Sequence, residues 1–164
     1  MTRLFGQVAA YGVFIVLVGL LSVWPKYQLL AESEAIVSLS FSHAAKRIGE
    51  CRRLTQEELN SLPPNMRKPD DCPRERHPIR VDLSLDGEVA YAVEARPTGL
   101  WSDGKGSVYH RVAVTAGQHE IFIGMNDSGT EGDYDYSLQR IVTIGPGQNL
   151  VIFFDSLTES FAIE

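Results

Sequence analysis

Two cysteines, three methionines and four histidines in 164 residues leave little material for metal or thiol chemistry. The cysteines show neither C-x-x-C nor C-x-C spacing, so a thiolate metal site lacks its usual basis. No nucleophile elbow and no zincin helix occurs. The glycines around Lys105 miss the phosphate-loop pattern, and no helix pattern follows them. No repeat of solenoid length is present, and a chain this short excludes a large multidomain enzyme. The residues imply no cofactor and no catalytic centre, so the expectation is a protein that is not an enzyme.

Charge is also missing where most chains have it. From Leu4 to Pro25 no residue is charged, and Val8 to Trp24 is an almost unbroken apolar run. A bilayer core of about 30 Å needs roughly 20 apolar residues in helix, so this segment predicts one transmembrane crossing. Tyr11, Trp24 and Tyr27 supply interfacial aromatics, and Pro25 stops the helix. Arg3 and the α-amino group precede the run, while Lys26, Glu32 and Glu34 follow it, which orients the N-terminus to the cytoplasm. A cleaved signal peptide is the competing reading, but its apolar region should be shorter, and Leu29-Leu30-Ala31 lacks the small-x-small pattern. Gly6 and Ala10 form a small-xxx-small pair for packing against a second membrane helix, a pairing also common in any Gly- and Ala-rich helix. Either way, residues after about 32 lie outside the cytoplasm. The organisation expected is an anchor with its juxtamembrane stretch over 1–31 and an exported domain over 32–164.

The net charge of −6 is unevenly spread. Residues 1–45 carry two basic and two acidic side chains, 46–80 carry nine and six, and 81–164 carry four and thirteen. A basic segment beside the anchor and an acidic body argue against nucleic-acid binding, which wants a basic folded face. Arg52, Arg53, Arg67 and Lys68, with their basic neighbours, would contact an acidic partner or anionic lipid; interleaved acids allow a solvated loop equally. Cys51 and Cys72 both fall in this segment, a basic insert expected over about 46–78. In an oxidising compartment they are expected to form a disulfide, closing a loop of about 20 residues and restricting the unfolded chain by roughly 3 kcal/mol. Inside it, Thr55 and Glu58 have capping-box spacing, and Pro63-Pro64 ends the short helix.

Alternation of period two fills the remainder. Val37, Leu39 and Phe41 mark one half-buried strand. Ile79 to Leu85 and Val89 to Val93 form a hairpin across Asp86-Gly87, the strongest turn signal present. A second hairpin is expected from Val108–Val114 to His119–Met125 across Ala116-Gly117, and a third from Ile141–Ile144 to Leu150–Phe154 across Gly145-Pro146-Gly147. Tyr134, Tyr136 and Leu138 lead into the third, and Phe161 with Ile163 closes the domain. About eight strands with turns every 8–12 residues describe an all-β antiparallel, immunoglobulin-like sandwich carried on one N-terminal transmembrane helix. The fragment VTAGQHEIFI resembles hairpins of PEGA-type and other immunoglobulin-like surface modules over ten residues.

Three local groups invite chemistry. His110 and His119 share a face of the second hairpin but sit too far apart in its register to bind one ion; His43 continues an inward parity as a hydrogen-bonded strand-end histidine. A copper site from His43, His119 and Met125 is chemically reasonable, since imidazole and thioether suit copper. The loop Asn126–Asp135 gathers four carboxylates, either as oxygen ligands for Ca²⁺ or as an ordinary acidic hairpin loop. Trp101, flanked by Asp103 and Lys105 in a Gly-rich turn, either caps the core or stands exposed to meet a sugar ring or a partner. Taken together these features predict a non-catalytic accessory or assembly subunit, whose partner is a larger integral membrane complex. Its architecture is similar to that of small anchored immunoglobulin-like proteins that help assemble respiratory oxidases, a likeness at the level of fold alone. The alternatives are an envelope module binding glycan or peptide through Trp101, and a periplasmic copper or haem handling factor.

Overall fold

A computed structural model describes residues 2–25 and 30–164. Tyr27, Lys26 and Leu29, which bear on the interfacial aromatics, the orientation and the cleavage site, lie outside the described residues. The chain divides into two compact units, Met1–Ala31 and Glu32–Glu164.

The first unit is one helix, α1 (Thr2–Val23), with no buried residue. It is long and apolar enough to cross a membrane. Gly6 and Ala10 lie on it exposed, with nothing packed near Gly6.

The second unit is strand-rich. In chain order it holds β1 (Glu34–His43), β2 (Arg52–Arg53), α2 (Gln56–Ser61), β3 (Asp70–Asp71), β4 (Ile79–Leu85), β5 (Glu88–Ala95), β6 (Gly106–Thr115), β7 (Gly117–Asn126), β8 (Tyr136–Ile144), β9 (Asn149–Asp155) and β10 (Ser160–Ile163). Eight of the ten strands make two four-stranded sheets, ordered β10-β9-β1-β6 and β5-β4-β7-β8. Residues 37, 39 and 41 of β1, 79, 81, 83 and 85 of β4 and 121, 123 and 125 of β7 all fall in one buried cluster, the arrangement of a β-sandwich. The period-two alternation of β1 and β4 is therefore the core pattern itself. Phe161 and Ile163 form the expected closing strand, and Phe161 packs edge-on to Phe41 and Phe154.

The β4–β5 hairpin forms as expected, with Asp86 at φ 52° and Gly87 at φ 84°, the positive values that a two-residue primed turn requires. A bulge lies inside it. Leu83 pairs with Tyr91 but Ser84 with Val89, so Ala90 is the extra residue and the parity of β5 slips there. Val89, expected inward with Tyr91 and Val93, is consequently turned out and 69% exposed.

The other two expected hairpins are crossovers. β6 pairs with β1 in one sheet and β7 with β4 and β8 in the other, so Ala116-Gly117 is a corner between sheets. Gly117 has φ 153°, and the Ala116 N–H donates to the Ser33 carbonyl, which holds the chain at the corner. Gly145-Pro146-Gly147 likewise carries the chain from β8 to β9 in the opposite sheet. There β9 pairs with β1 in parallel, so that sheet is not wholly antiparallel. Tyr134 precedes β8 and lies in the loop instead of the strand.

Cys51 and Cys72 are bonded, beside the two-residue ribbon of β2 with β3. Thr55 and Glu58 form the expected capping box, and α2 stops before Pro63. Glu58 is held down at about 2, first by the Arg52 guanidinium and then by the Thr55 donors.

Candidate functional site

β1 runs from Glu34 to a finish at His43, and at that same end of the sandwich β4 and β8 begin while β5, β7 and β9 finish. Four segments therefore emerge together: 44–78, 96–105, 127–135 and 156–159. The basic insert, adjacent to the anchor in sequence, is thus displaced from Glu34 by the ten residues of β1, about 30 Å of extended chain.

Trp101 stands exposed. It is 66% accessible and Leu100 beside it is 91% accessible, so neither caps the core. The turn carrying them is tied down on both sides. The Gly104 N–H donates to the Thr98 carbonyl, the Ser102 N–H to Gly99, and the Thr98 N–H and hydroxyl both to Lys105. Arg76 fastens this turn to the insert: its backbone N–H donates to the Ser102 carbonyl, Nε to the Asp103 carbonyl at 3.0 Å and Nη1 to the Ala45 carbonyl at 2.6 Å. Nothing in local spacing marks Arg76 as this hub, because its partners are backbone carbonyls distant in sequence. Asp103 acts through its backbone, and so does Lys105. Ile48, Arg76, Arg96 and Ser102 line a cleft of about 180 Å³ beside the turn. Ser102 and Lys105 also have S-x-x-K spacing. It falls in an irregular turn with Ser102 at φ 49°, without the helix such a nucleophile needs.

The four insert cations differ in their partners. Arg52 is paired with Glu58 at 2.7 Å and lies 3.9 Å from Asp71, and Arg67 donates to the Leu62 and Asn60 carbonyls. Lys68 lines a cleft of about 390 Å³ with Glu58, Asp70 and Asp71. Arg53 is exposed on β2.

A polar cluster joins the insert to the acidic loop. His43 Nε2 lies 2.8 Å from Asp127 Oδ2, Lys46 Nζ lies 3.3 Å from Asp127 Oδ1, and the Asp127 side chain is almost wholly buried. Lys46 also reaches Asp135 at 3.1 Å. Asp135 accepts from the Asp127 and Ser128 N–H groups and the Ser128 hydroxyl; burial alone would raise it, and these donors with Lys46 bring it down to about 2. The Asn126 side chain donates to the Thr130 and Asp133 carbonyls and accepts from Gly129 N–H. The loop is therefore an internally bonded β7–β8 connection, with Asp135 held by Lys46 and two amides, while the buried Asp127 Oδ1 accepts no hydrogen bond among the described residues. Ser156 Oγ lies 3.4 Å from His43 Nδ1, giving a Ser–His–Asp row, and the neighbouring Leu157 N–H is bonded to Asp155 Oδ1.

The copper triad does not assemble. His119 is at the opposite end of β7 from Met125, and both its nitrogens are engaged, Nδ1 with Asp86 at 2.6 Å and Nε2 with the Thr115 carbonyl at 2.7 Å. Its directly opposed residue is Val142 on β8. His110 faces Leu39 and stacks on Tyr91 with ring centroids 3.9 Å apart. The His77 ring lies against Gly129, at a spot a side chain there would occupy. Among the described residues no three His, Cys, Asp or Glu side chains converge.

No family model matches the chain. No curated protein aligns with it either. The loop end is therefore read from its own chemistry: a rigidly held apolar tip, Leu100-Trp101, with Leu157 95% exposed on the β9–β10 turn at the same end.

Proposed function

We propose that this chain is a non-catalytic accessory or assembly subunit of a larger membrane protein complex, in which a single-span anchor holds an immunoglobulin-like sandwich outside the cytoplasm. The N-terminus is cytoplasmic, the anchor lies in the cytoplasmic membrane, and the body is periplasmic. The disulfide supports an oxidising compartment, since reduced thiols prevail in the cytosol. The observation that carries the reading is the exposure of Leu100, Trp101 and Leu157 on turns at one end of the body. Large apolar side chains held rigidly in water favour a partner surface, and Trp is prominent among interface anchors.

Gently solubilised membranes run on a native gel are expected to show the chain migrating with a larger complex, and Leu100→Ser with Trp101→Ala to release it. Migration as a free species in every mild detergent overturns the reading. A second reading, an envelope module for glycan or peptide, draws on the same exposed Trp101, whose indole face suits a sugar ring. Binding of the wild type to isolated envelope material, lost in Trp101→Ala without a change in melting temperature, would favour it.

A further inference from the structure

A sandwich of two open sheets has four edges, and unpaired edges are templates for another strand. Three are guarded here. β10 has only four residues. β5 carries the bulge at Ala90. β8 places Arg140 opposite the buried Ile121, a charge at a core-facing position on the edge. The fourth, β6, pairs with β1 over ten consecutive positions with no irregularity, and it contains no proline and no inward charge.

The direction of its free backbone groups follows from three bonds. The Thr115 carbonyl accepts from His119 and the Lys105 carbonyl from Thr98, both away from β1, while the Ala116 N–H points to Ser33 on the β1 side. N–H and C=O of one residue point the same way and alternate along a strand, so Ser107, Tyr109, Arg111 and Ala113 present theirs outward. The same four side chains lie on the solvent face, Tyr109 with 65% exposure.

We propose that β6 is a homodimer seam, pairing antiparallel with β6 of a second copy about a two-fold axis at His110. In that register Tyr109 opposes Arg111 of the second copy twice, placing a guanidinium against a phenol ring, and Ser107 opposes Ala113. The four facing pairs close eight backbone hydrogen bonds. Shifting one copy by two residues opposes Arg111 to Arg111, and like charges directly opposed disfavour it. An isologous contact of this kind closes on itself and leaves no further edge to propagate. The proposal goes beyond the subunit reading and does not depend on it.

The test uses the full chain in mild detergent and in lipid nanodiscs, with mass measured by light scattering. Wild type is expected to be dimeric. Tyr109→Lys sets Lys against Arg111 and should weaken dimerisation about tenfold or more; adding Arg111→Glu to it restores opposite charges across the seam and should restore the dimer. Both positions are exposed, so unchanged melting curves show that the fold is intact. In parallel, His110→Cys should cross-link two copies, because residues at the axis face each other at a Cα separation of about 4.5 Å, whereas Ala113→Cys should not. A monomeric wild type at every concentration overturns the proposal. So does a dimer indifferent to Tyr109→Lys and without the His110→Cys cross-link, which would place the association elsewhere, on α1 or a partner strand.

Discussion

His119 shows how much one side chain's partners decide. Its two ring nitrogens face a carboxylate and a carbonyl, both acceptors, so only the doubly protonated ring satisfies both. Accordingly the hydrogen bond to Asp86, followed by that to Thr115, raises His119 above its ordinary value, against the opposing effect of burial. Asp86 is lowered, by His119 first and the Glu120 N–H second. The raised histidine contributes stability that is fully present below its unfolded value of about 6.5 and lost as pH rises through the folded one. The lowered aspartate contributes stability present above about 3.9 and lost as pH falls through its folded value. The melting temperature should therefore decline as pH rises above about 6.5, the unfolded value, and Asp86→Asn, which keeps the positive-φ turn, should flatten that decline in calorimetric scans. An equally steep decline in the variant would assign it to other groups. The histidine's place on an inward face is legible from parity alone; its partners are not, because Asp86 and Thr115 reach it through a hairpin turn and a sheet corner.

Local patterns translated into elements wherever the information was local. The Asp86-Gly87 turn, the Thr55 capping box and the alternation of β4 each involve neighbours in sequence, and each formed. Ala116-Gly117 and Gly145-Pro146-Gly147 read as hairpin turns for the same reason, yet both are corners, because a short Gly-containing link serves a turn within a sheet or a passage between sheets. Which it becomes depends on whether β1 offers an edge, to β6 on one side and β9 on the other. The Trp101 turn and the insert depend in turn on Arg76, whose three donors bind three carbonyls. Arg76→Ala should cost about 1–2 kcal/mol locally and raise amide hydrogen exchange across 98–105 and 44–48 while leaving β1 and β7 protected. Reduction of Cys51–Cys72 should act further out. The bridge and a two-residue ribbon are what close that lobe, so protease should cut within 52–71 after reductant and leave the sandwich whole. Protection of 98–105 unchanged in Arg76→Ala would separate the turn from the insert.

For the molecule as a whole, every buried core residue among the described residues lies between Ala35 and Phe161. A body whose core comes from its own residues should fold without the anchor. Residues 32–164 secreted into an oxidising compartment are expected to remain soluble and to melt in one cooperative transition, at a temperature close to that of the full chain in detergent. The core sets the size of that transition. Leu39 is wholly buried on β1, an inner strand of its sheet, and belongs to the core cluster. Leu39→Ala removes three carbon atoms and leaves a cavity, a loss of about 2–5 kcal/mol against a total stability of about 5–15 kcal/mol for a domain. Exposed Leu100→Ala and Trp101→Ala should change the same transition by under about 0.5 kcal/mol, since they take nothing from the core. The contrast sorts the chain's apolar residues into those that hold the fold and those left over for a partner. If the secreted body aggregates while Leu100→Ser with Trp101→Ala keeps it soluble, the exposed tip itself is the seam of aggregation, and it is normally covered.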